Sequence, residues 1–133
     1  MGNAFEFDEV NNILRCAREG RITDDHIWEA FHTAEKLGAL RPPFRVIDDC
    51  SGATRADIST GAIERLAKMP SILGGAETML VIIAPIALIY GLARMFSMLG
   101  EIHRPNVHVV QTTEEAYALL GVTHPQFSPV TVP

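Results

Sequence analysis

The stretch LVIIAPIALIYGLARMF, Leu80 to Phe96, constrains this chain more than any other. It is almost wholly apolar, so it must cross a membrane, enter a core or meet a partner. A membrane-spanning helix needs about 20 consecutive apolar residues. The run that starts at Met79 reaches only Ala93 before Arg94 breaks it, and Pro85 falls inside it. Proline removes a backbone donor and pushes the preceding residue towards extended conformations, yet it suits the first position of a helix. The stretch therefore divides in two. TMLVIIA is predicted as a central strand buried on both faces, and PIALIYGLARMFSMLGE as a helix beginning at Pro85. No membrane span is expected.

That helix is apolar nearly all round. Leu88 or Ile89, with Leu92, Ala93, Phe96 and Leu99, should pack on a sheet. The other side holds Ile86, Ala87, Tyr90, Gly91, Arg94, Ser97 and Met98, with a single charge. A helix of this kind is either enclosed or covers another surface, and a small domain cannot enclose all its helices. Ile86, Tyr90, Arg94 and Met98 are therefore expected to face a partner or an apolar ligand.

The rest of the chain alternates strands with helices. AFEFDE and ILRCARE read as two antiparallel strands around a VNN turn, the second ended by Gly20. A helix follows, capped by Thr23 or Asp24 and closed by Gly38. FRVIDDC is a short buried strand, SGATRADIS a loop, and STGAIERLAKM a helix stopped by Pro70. SILGGAE reads as a flexible connection hinged at Gly74-Gly75. NVHVVQ and TTEEAYALLG supply the last strand and helix. The order β-β-α-β-α-β-α-β-α predicts an α/β domain, with a mostly parallel sheet, an N-terminal antiparallel pair and about four helices. Residues 1–121 form this domain, and the proline-containing segment 122–133 is expected to be an extended or disordered tail.

With 133 residues, 47% hydrophobic and 20% charged, the chain has the size and balance of one globular domain. Its net charge of -5 comes without any basic cluster, which argues against nucleic acid and anionic membrane surfaces as partners. Cys16 and Cys50 are expected to be reduced packing residues. No secretory pattern opens the chain, so a cytoplasmic location is expected.

GRITDDHI, RVIDDCSGATRADIS, VIIAPIALIYGLARMF and VHVVQTTEEAYALLG together resemble the SpoIIAA-like proteins, small bacterial relatives of the anti-sigma-factor antagonist (STAS) fold. The resemblance runs from about Phe5 to Gly121 and is most specific in APIALIYGLARMF. In the antagonists a serine of an Asp-Ser-Ser-Gly turn is phosphorylated. Here the turn is Asp57-Ile58-Ser59-Thr60-Gly61, so the motif is broken. Ser59 reads first as a helix N-cap, and Ser59 and Thr60 remain the candidate phosphorylation positions. The resemblance extends to lipid-exchange domains of the CRAL-TRIO type, which implies an apolar ligand as a second possibility.

Catalytic patterns are sparse. Asp48 and Asp49 are expected at the C-terminal end of a parallel strand, where open α/β sheets bind ligands. As neighbours on a strand they point to opposite faces and cannot act as an acid–base pair. Asp49 with Asp57 is the pair to examine for a divalent ion. The five histidines lack ligand spacing, and no nucleophile elbow, GxGxxG or P-loop occurs. Trp28 is expected to pack. No cofactor is expected. The sequence thus reads as a non-enzymatic regulatory or interaction module, self-associating as a homodimer through helix 86–99. A carrier of a small apolar or lipid ligand comes second, and a small enzyme using Asp49 and Asp57 third.

Overall fold

The computed structural model describes residues 2–40, 45–71 and 77–130. The elements are β1 (Gly2–Asp8), β2 (Ile13–Thr23), α1 (Asp24–Leu40), β3 (Arg45–Asp57), α2 (Thr60–Lys68), β4 (Met79–Ile83), α3 (Ala87–Leu99), β5 (Val107–Val110), α4 (Thr113–Leu120) and β6 (Ser128–Pro129). One six-stranded sheet has the order β5-β4-β3-β2-β1-β6. Strands β2 to β5 run parallel, while β1 is antiparallel to both β2 and β6. The α/β class and the N-terminal antiparallel pair agree with the sequence pattern.

Each parallel step moves the same way across the sheet, so crossovers of one hand leave their helices on one face. Ile27 of α1, Ile63 and Ala67 of α2, and Ile89, Ala93 and Phe96 of α3 share a core with Ile22, Cys50 and Ile82 of the sheet. Helix α4 covers the other face, where Ala116 and Leu120 pack with Ile13, Ile47, Val81 and Ile83. The strand before Pro85 is therefore buried from both sides, as a near-continuous apolar run requires.

Residues 122–130 run back beneath this second face. Val122 is buried and Phe127 packs against the α4 core, before Ser128 and Pro129 pair with Phe7 and Glu6. Asp8 ties the return path to the β1–β2 turn. Its Oδ1 accepts from the Val10 and Asn11 amides at 2.9 and 3.1 Å, and its Oδ2 from Asn11 Nδ2 at 2.7 Å and the Gln126 amide at 3.2 Å.

Four local expectations need correction. Gly20 does not end β2: with φ of +71° it sits at a register shift, and the strand continues to Thr23. A glycine adopts that conformation at a bulge without steric cost. SGATRADIS is strand up to Asp57 and not a loop, because the lengthened β2 offers it a partner as far as Thr23↔Asp57. Helix α1 continues past Gly38 to Leu40. Helix α3 starts at Ala87, two residues after Pro85, with Ile86 as an N-cap that lends no side-chain bond. The proposed hinge Gly74-Gly75 lies outside the described residues. Where α2 and α3 end, a Cβ on Gly100 would stand 3.1 Å from the Ala67 carbonyl, so glycine there permits the two helices to converge.

Candidate functional site

Helix α1 lies over β1 and β2, whereas α2 and α3 lie over β3 to β5. The space between them is a cavity of about 200 Å³ floored by the sheet. Its walls are Ile27, Ala30, Phe31 and Ala34 of α1, Ile63 and Leu66 of α2, and Ile89, Leu92, Ala93 and Phe96 of α3. The floor is Cys16, Ile22, Val46, Cys50, Leu80 and Ile82. Three charged side chains interrupt this apolar lining: Arg18, Asp48 and Arg104.

Arg18 and Asp48 face one another across β2 and β3. The Arg18 Nε lies 2.7 Å from Asp48 Oδ1 and its Nη2 2.9 Å from Asp48 Oδ2, a bidentate fork, while Nη1 donates to Asn3 Oδ1 at 3.1 Å. Burial alone would lower the guanidinium pKa, but the Asp48 charge and hydrogen bonds more than offset this and raise it. The arginine stays charged. Burial also pushes the Cys16 thiol up to about 12 and raises that of Cys50, so neither thiol is poised as a nucleophile. Both cysteines are free and buried.

The cavity is latched at one end. Asp24, at the start of α1, accepts from the Ser59 amide at 2.8 Å and from its hydroxyl at 2.7 Å. Ser59 in turn caps α2 by accepting from the Ala62 amide at 3.1 Å. One turn further on, Arg65 of α2 lies 5.7 Å from the Trp28 ring of α1, and Trp28 meets Phe31 edge-on at 6.0 Å. Thr78 and Arg104 precede β4 and β5, so they mark the opposite end, where the parallel strands begin.

No family model matches the chain, and no curated protein matches it significantly.

The residues singled out by sequence scatter around this cavity. Asp48 and Asp49 stand in the middle of β3, not at its C-terminal end, because the strand runs on to Asp57. Asp49 points to the α4 face. There it accepts from the Ser51 amide at 2.9 Å, from the Ser51 hydroxyl, and from Arg15 Nη2 at 2.5 Å; Arg15 also bonds Glu6. Burial alone would raise the Asp49 carboxyl; these bonds hold it below its ordinary value. Asp57 is eight residues further along the strand, roughly 26 Å at about 3.3 Å per residue, and pairs with Arg21 and Arg55. The two aspartates cannot share an ion. Among the described residues no group of three or more His, Cys, Asp or Glu could hold a metal.

On α3, Ile86, Arg94 and Met98 point outwards as expected, with Met98 69% exposed. Tyr90 does not: it is half-buried against the core shared with α1 and α2. Leu88 and Leu99 take its place on the outside at 60% and 50% exposed, with Ile89 as the buried member of its pair. The exposed stripe is thus Ile86, Leu88, Met98 and Leu99, continued by Ile102. Among the described residues no helix is long and apolar enough to cross a membrane.

Sequence reasoning missed Arg18. The signal was present, since Arg18 shares its strand face with Leu14 and Cys16, and a charge on an apolar strand face needs a partner.

Proposed function

We propose that this protein is a non-enzymatic module of the SpoIIAA-like type that binds a small apolar ligand in the cavity between α1 and α2–α3. The observation that carries this reading is the cavity itself. An apolar cavity near 150 Å³ already holds a benzene-sized guest, and this cleft offers about 200 Å³. The largely apolar lining with a few placed polar groups fits a ligand site. The β-β-α-β-α-β-α-β-α order and the single-faced crossovers support the family reading. Two free buried cysteines suit work in a reducing cytoplasm.

The decisive experiment is mass spectrometry of natively purified protein, intact and after extraction into organic solvent. A small apolar compound in near-stoichiometric amount supports the proposal. Protein that leaves the column empty and shows no melting shift with small apolar compounds sinks it.

The apolar stripe of α3 favours a second reading, association with another copy or with a regulatory protein. Leu88, Met98 and Leu99 on α3, Ile86 at its N-cap and Ile102 in the following turn are five large exposed apolar side chains, more than scattered surface residues explain. The two readings are compatible, because α3 walls the cavity with one side and presents the stripe with the other.

A further inference from the structure

We infer that the ligand of this cavity is a small monoanionic amphiphile, a carboxylate on a short apolar body, with its carboxylate seated on Arg104. This rests on the cavity reading above and adds the head group. Of the three charges lining the cavity, Arg18 and Asp48 neutralise each other in a bidentate fork. Arg104 has no carboxylate within ion-pair distance among the described residues. It is half-buried, and its guanidinium lies 5.1 Å from the Phe96 ring. Its hydrogen bonds are long: Nη1 reaches the Leu66 and Ala67 carbonyls at 3.4 Å, and Nη2 the Pro70 carbonyl at 3.5 Å. Good donors to oxygen sit nearer 2.9 Å, so the fork is held in place by long, weak bonds that a carboxylate would improve on.

A cation withdrawn from water without a counterion is costly, and a carboxylate is the group whose geometry matches a guanidinium fork. Among the described residues the cavity therefore carries one positive charge that meets carbonyls but no carboxylate, in a chain whose net charge is -5. Anion selection here is local, set against the field of the whole protein. The remaining lining is hydrocarbon, which specifies the body of the ligand. Size guides the choice: about 200 Å³ is of the order of the roughly 150 Å³ apolar cavity that takes up benzene. A six-carbon chain with its carboxylate at the cavity end is a body of that scale.

The test compares hexanoate, 1-hexanol and hexylamine by titration calorimetry on the intact protein. Hexanoate should bind roughly ten- to a hundredfold more tightly than hexanol, the range expected for hydrogen bonds to a charged group, and hexylamine most weakly. Arg104→Met keeps an apolar stem of similar length and should abolish the preference for hexanoate over hexanol; Arg104→Lys should restore part of it. Equal binding of hexanoate and hexanol to the native protein would overturn the inference and leave the cavity reading standing. Binding of none of the three would overturn both. If Arg104 serves only to cap the C-terminal end of α2, Arg104→Met will lower the melting temperature without changing the hexanoate-to-hexanol ratio, which also refutes the inference.

Discussion

Arg18 and Asp48 form a two-pronged ion pair on the floor of an apolar cavity, while their strand neighbours Arg15 and Asp49 form another on the opposite face of the same two strands. The adjacent aspartates of β3 point in opposite directions, and β2 supplies an arginine to each.

The inward pair should depend on having both members. Arg18→Met strands the Asp48 carboxylate in a largely apolar surrounding and should cost about 3 kcal/mol, the lower end for breaking a buried pair, since part of Asp48 is exposed. Arg18→Met with Asp48→Leu should recover most of that loss. Urea unfolding of the two single variants and the double variant measures the coupling; strictly additive losses would show that the pair contributes nothing specific.

Acid should loosen the β1–β2 turn through Asp8. Burial alone would raise its carboxyl, but bonds from the Asn11 side chain and backbone and from the Gln126 and Val10 amides hold it below the usual 3.8. A depressed carboxyl contributes stability that is fully present above the unfolded pKa and is lost as pH falls through the lower folded value. Unfolding free energies measured between about pH 5 and pH 2 should therefore fall more steeply for the native protein than for Asp8→Asn, which is less stable at neutral pH.

At the α1–α2 latch, Ser59→Ala removes the helix cap and should cost about 1 kcal/mol. Ser59→Asp should cost more despite being a good cap, because the new carboxylate meets Asp24, whose oxygen lies 2.7 Å from the Ser59 hydroxyl. Thermal melts of both variants decide this. A stabilising Ser59→Asp would instead favour phosphorylation at this helix start.

On α3, Leu88→Lys and Met98→Lys should leave stability within about 0.5 kcal/mol, as exposed positions do, and reduce any self-association seen by light scattering. Tyr90→Asp should behave differently and lower stability, because that side chain packs into the core. Association that survives both lysine variants places the interface elsewhere.

Much of the fold was legible because proline and apolar runs carry unambiguous local physics. Pro85 divides a strand from a helix wherever it stands, and Ser59 before TGAIERLAK has the chemistry of a cap. The length of β3 was not legible. SGATRADIS has a glycine, three serine or threonine hydroxyls and two charges, and only pairing with the far end of β2 makes it a strand up to Asp57. Tyr90 and Leu88 exchanged places for a similar reason. On a helix apolar all round, periodicity does not say which side the sheet will take. The cavity lay further out of reach still, since it arises from the separation of α1 from α2 and α3, which no single segment encodes.

The return of the chain to β1 has a consequence for assembly. At that edge the sheet ends in β6, a two-residue strand containing Pro129, which lacks an amide to donate. The other edge of the sheet is β5. A two-residue strand with a proline is a poor template for strand addition, so the return of the chain blunts the sheet, where β6 lies, against edge-to-edge association.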